Sequence, residues 1–108
     1  MQRIILTLSL LLFTLLTTFA QKSGGKQAAL NAVKKEKKIK EAIMTEANVL
    51  YAAVLDDGTR RDGYAEYLCN VLKEYGVKMR VKVVKFGSTN SPKKDNAYGI
   101  LLGESWCK

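Results

Sequence analysis

The stretch VLYAAVLDDGTRRDGYAEYLCNVLKEYGVKMRVKVVKF, residues 49–86, decides the fold. Its first seven residues, Val49 to Leu55, form an apolar run that ends at Asp56-Asp57-Gly58. A short run containing Val and Tyr, with a turn behind it, predicts a strand. Both faces of that strand are apolar, which suits a place at the sheet centre or under cover on both sides. Thr59 then offers a helix cap, and Asp62 three residues on favours the positive end of a helix. The helix is expected from about Arg61 to Tyr75, with Gly76 as its stop. Tyr64, Leu68, Val71, Leu72 and Tyr75 recur at three- and four-residue steps and make one apolar face, with Cys69 at its flank. From Val77 to Phe86 the pattern turns to alternation. Val77, Met79, Val81 and Val83 face one way, and Lys78, Arg80 and Lys82 the other. The phase slips at Val83-Val84, which predicts a β-bulge or a strand twisting off the core there. Strand, helix and strand make a β-α-β unit, whose crossover is right-handed if the strands are parallel.

Beyond this unit the polar loop Gly87 to Asn96 holds the single proline, Pro92, and leads to a third apolar run, Tyr98 to Leu102. That run is expected antiparallel to the second strand and inserted between the other two. Gly103 to Lys108 reads as a tail. On the other side, Ala28 to Ala47 is rich in Ala, Lys and Glu, without Gly or Pro, and reads as a helix. Lys34 to Lys38 interrupts its apolar stripe, so residues 38–47 carry the packing face and the first half projects. Glu36 and Lys40, four apart, make a weak pair. Residues 21–27 read as a flexible linker. The expected fold class is α+β: one small α-β-α-β-β domain over 28–108, with helices packed on a three-stranded mixed sheet and one disulfide.

The chain begins with a positive Met1-Gln2-Arg3, a Leu-rich segment from Ile4 to Leu16, and Thr17-Thr18-Phe19-Ala20, which places small residues before a cut after Ala20. These are the parts of a secretory signal peptide over 1–20. A retained anchor is the alternative, and seventeen apolar residues stand at the short end of what spans a bilayer. Export, periplasmic or secreted, then explains the cysteines. Cys69 and Cys107 are the only two, and a pair in a small exported chain reads as a disulfide. It closes a loop of 38 residues, worth about 4 kcal/mol by chain entropy in a domain whose whole stability is about 5–10 kcal/mol.

The chain has 108 residues, 18 Lys and Arg against 10 Asp and Glu, and no His. Lack of His excludes a Ser-His-Asp triad, a Cys-His pair and any zinc site built with His. Asp56 to Gly63 resembles a calcium loop but fails its spacing, because Thr59 and Arg61, or Gly58 and Arg60, stand where ligands are needed. No metal and no cofactor are expected. The same stretch supplies the candidate ligand-binding residues Arg60, Arg61 and Asp62. Two arginines at a helix start suit a carboxylate or phosphate held with backbone N–H groups. The basic residues fall into three groups: Lys34 to Lys40, Lys78 to Lys85, and Lys93 with Lys94. They point to an anionic surface or an acidic protein as partner. Nucleic acid is disfavoured by export and by the lack of aromatics among the charges. Membrane contact is expected only through an uncleaved leader or the basic helix. Carboxylate catalysis such as glycoside hydrolysis needs a cleft longer than this chain builds. Tyr64 and Tyr75 read as core, and Trp106 as packing around the disulfide. The sequence therefore predicts a small exported, non-enzymatic binding or accessory protein of the cell envelope or extracellular space. The alternatives are a small secreted hydrolase or inhibitor-like module using Asp56 to Gly63, or a basic protein held at a membrane surface.

Overall fold

The structure, a computed structural model, describes residues 24–108. The leader read over 1–20 and the start of the linker lie outside the described residues. In chain order the elements are α1 (Gly25–Lys34), β1 (Glu41–Met44), β2 (Val49–Val54), α2 (Asp62–Lys73), β3 (Arg80–Lys85) and β4 (Leu101–Trp106). The strands form one sheet in the order β1-β2-β3-β4. β2 and β3 run parallel, while β1 and β4 each run antiparallel to their neighbour. The domain is α+β, with two helices, a four-stranded mixed sheet and one disulfide.

The β-α-β unit lies where the sequence places it. Leu68 and Leu72 of α2 are fully buried and meet Leu50, Val54, Val81 and Val83 of the sheet in one core. The helix ends as Gly76 takes φ +71° and the Val77 amide donates back to the Leu72 carbonyl. β3 starts later than the alternation suggests, although Val77 and Met79 are already buried. Thr59 is not the cap. Its hydroxyl donates to the Asp57 carboxylate, and Arg61 takes the N-cap position without a side-chain cap. A bulge does lie at Val83-Val84, but on the partner strand. Val83 pairs with Gly103 and Val84 with Leu101, so Leu102 of β4 is the extra residue.

Two expectations are corrected. The segment 28–47 is not one helix: α1 ends at Lys34, and Glu41–Met44 is an edge strand, the fourth strand that the sequence reading lacked. The first half does not project, for Ala29 and Val33 are fully buried, and Ile39 and Ala42 of the second half join them in the core. Good helix formers lose here because β2 needs a partner on its outer side, and pairing overrides propensity. Asn48, at φ +64°, makes the tight return from β1 to β2, and its side-chain amide donates to the Lys78 carbonyl. The other correction concerns the last strand. It spans Leu101–Trp106 instead of 98–102, and it lies outside β3 instead of between the other strands. A hairpin return carries it to the free side of β3, and Cys107 is then drawn beside α2. The Cys69–Cys107 disulfide, with Cα atoms 5.1 Å apart, ties α2 to the end of β4. No helix among the described residues is long and apolar enough to cross a membrane.

Candidate functional site

The loop from Asp56 to Asp62 leaves the C-terminal end of β2, and most of its polar side chains bond within the chain, although the buried Arg61 Nε has no partner among the described residues. Asp56 accepts the Gly58 amide, and Asp57 accepts the Thr59 amide and hydroxyl. These bonds, with the Arg61 charge nearby, hold the Asp57 carboxyl below its ordinary value. Arg60 grips Asp62 with two hydrogen bonds of 3.0 and 2.9 Å. Asp62 is held below its ordinary value first by Arg60 and then by the Glu104 amide, which donates to its Oδ1 at 2.9 Å. Arg61 folds inward, with its side chain only 11% exposed, and donates to the Leu55 carbonyl beside the Asp57 carboxylate. Its own amide donates to the Leu102 carbonyl. Arg61 and Asp62 thus cover the outer edge of β4, where open backbone groups would invite another strand. Gly103 belongs to this seal. A Cβ there would collide with the backbone of Arg61 and Asp62. The structure therefore brings Arg60, Arg61 and Asp62 together, and engages all three within the chain. Their partners Leu102 and Glu104 lie too far along the sequence for a local pattern to show them.

The sheet has a helix-covered face and an open face. Ala42, Leu50, Ala52, Val54, Val81 and Val83 point into the core with both helices. Their alternates point the other way, and the register sets them in rows. One row reads Val49, Arg80, Trp106; the next reads Ile43, Tyr51, Lys82, Glu104. Arg80 meets Glu104 at 2.6 Å and lies over the Trp106 ring at 4.4 Å. Trp106 is 65% exposed, so it does not pack around the disulfide as the sequence suggested. Lys82 sits 5.8 Å from the Tyr51 ring, and Tyr98 leans on that ring at 4.4 Å between centroids. Tyr98 arrives from the loop before β4, which Ser88 anchors by donating to the Lys85 carbonyl and accepting the Ile100 amide. Beside the tyrosines runs a groove of about 210 Å³, walled by Ile43, Ala53 and Val84 and rimmed by Glu41, Lys85 and Thr89. Sequence reading missed this face. The aromatics are not interleaved with basic residues along the chain, but the sheet interleaves them in space. The signal was the parity of Val49, Tyr51 and Ala53 against Arg80, Lys82 and Val84.

Between the helices lies a polar cleft, where the Tyr67 hydroxyl donates to the Glu36 carboxylate. That bond pushes the Tyr67 hydroxyl above its ordinary value. Among the described residues, no group of three or more His, Cys, Asp or Glu side chains is placed to hold a metal ion. Comparison with known proteins returned no matching family model, no matching characterised relative and no matching solved structure.

Proposed function

We propose that this chain is a small non-enzymatic binding protein, exported to the cell envelope or extracellular space, and that its open sheet face meets the partner. One observation carries the reading: a tryptophan 65% exposed on a sheet, its ring held by Arg80, which Glu104 fixes in turn. An indole left in water on a rigid element is costly, and Trp, Tyr and Arg together are the residues that dominate binding energy at interfaces. Ile43, 38% exposed on β1, and the tyrosine groove extend the same face. Arg80, Lys82 and Lys85 on or beside the face favour an acidic protein or other anionic surface. A catalytic reading of Asp56 to Gly63 draws no support from its acids. Asp57 and Asp62 are held ionised, whereas a general acid needs its proton near neutral pH. A disulfide in a small domain accords with export.

The test is photo-crosslinking in the producing cell, with the reactive residue placed in turn at Trp106, Ile43 and, as a reference, the exposed Glu66 of α2. Adducts from the first two positions and none from the third are expected. Adducts confined to Glu66 would move the interface to the helices and end the reading.

A further inference from the structure

A pocket of about 280 Å³ opens at the C-terminal end of β2 and gathers residues from two distant parts of the chain. Lys37, Lys38 and Lys40 reach it from the connection between α1 and β1, and Arg61 from the entry to α2. The crevice beyond the carboxyl end of a parallel strand is where open sheets with crossover helices commonly take ligands. One acid, Asp57, lies on the wall, and it is already engaged by Thr59 and by Arg61 at 3.2 Å. Among the described residues no ion pair joins Lys37, Lys38 or Lys40 to a carboxylate. Lys38 also lies 5.5 Å from the Tyr64 ring, which attracts its charge without neutralising it, so the pocket keeps an excess of positive charge. Leu55, 62% exposed, forms an apolar lip beside them.

We propose that Lys37, Lys38 and Lys40, backed by Arg61, bind the dianionic phosphate of a phosphomonoester, with Leu55 against its carbon portion. Three ammonium groups are movable point charges. They surround the three terminal oxygens of a phosphate better than they match a planar carboxylate, for which a guanidinium fork is suited. A dianion also offsets more of the excess charge than a carboxylate does. The site uses residues separate from the open sheet face, so it stands or falls independently of that reading. The same chemistry is offered by a free phosphate and by a lipid headgroup, and the apolar lip accommodates either an ester or a bilayer surface.

The experiment is an amide-resolved NMR titration of the oxidised protein with inorganic phosphate, alongside sedimentation with phosphatidylcholine vesicles containing phosphatidic acid. Saturable shifts at Lys38, Lys40, Leu55 and Arg61 are expected with phosphate. They should weaken as pH falls through the second ionisation of inorganic phosphate, where the dianion takes up a proton. Vesicle binding alone would identify the headgroup as the source; phosphate binding alone would identify the free ion or a soluble ester. The triple variant K37Q/K38Q/K40Q should lose about tenfold or more in affinity, a change of about 1.4 kcal/mol. The variant K78Q/K93Q/K94Q removes the same charge elsewhere and should retain binding. Equal loss in the two variants, or no saturable response to either probe, would overturn the proposal.

Discussion

Gly103 shows how much a single position can carry. It has no side chain because the backbone of Arg61 and Asp62 passes directly against it. Gly103→Ala should therefore lower stability by about 1–3 kcal/mol, the usual cost of overpacking. Chemical denaturation measures this, and an unchanged midpoint would mean that β4 is not sealed by this loop. Asp62 accepts from Arg60 and from the Glu104 amide, and its folded pKa lies below the unfolded value of about 3.9. A depressed carboxyl contributes stability that is complete above the unfolded value and is lost as pH falls through the folded one. The melting temperature should thus drop more steeply below about pH 4 in the wild type than in Asp62→Asn. Parallel curves would show that these bonds do not persist in solution. The residue scale also marks where sequence reading stops. Arg60, Arg61 and Asp62 stood out as a dense polar turn, but the groups they hold, Leu102 and Glu104, are brought to them only by the fold.

At the scale of elements, what the sequence revealed was local. α2 and its flanking strands were legible because three- and two-residue periodicities are properties of neighbouring residues. The bulge was legible in its place but not in its strand: Val83 and Val84 simply alternate in β3, and the extra residue is Leu102 of β4. β1 was not legible. Glu41-Ala42-Ile43-Met44 contains good helix formers, and only pairing with β2 makes it a strand. The segment after Leu102 carries no strand pattern of its own, so the sequence leaves the sheet face of Trp106 undefined. Hydrogen exchange tests β1 directly. The Thr45 amide donates to Val49, and alternation in an antiparallel pair places Ile43 in the same bonded set, with Ala42 and Met44 facing outward. Slow exchange at Ile43 and Thr45 with fast exchange at Ala42 and Met44 is expected; uniform protection would restore the helix. In α2, Leu68→Ala empties a fully buried site and should cost about 2–5 kcal/mol.

For the molecule as a whole, the sheet is helped by one covalent tie. α2 packs on β3 and β4 from the covered face only, and Cys69–Cys107 fastens the end of the last strand to it on that face. Removing it with Cys107→Ser should lower stability by about 2–5 kcal/mol. The face that carries Trp106 depends on that strand, so loss of the bridge should weaken binding there as well as folding. Such a bond persists in an oxidising compartment, which makes export the claim on which both the stability and the choice of partner rest. Its most direct test is the intact mass of the protein taken from its native source without reductant, before and after thiol alkylation. The account predicts a chain that starts at Gln21, weighs two hydrogens less than the dithiol, and takes up no alkylating agent. A chain that still carries residues 1–20 and is alkylated at both Cys69 and Cys107 would contradict it.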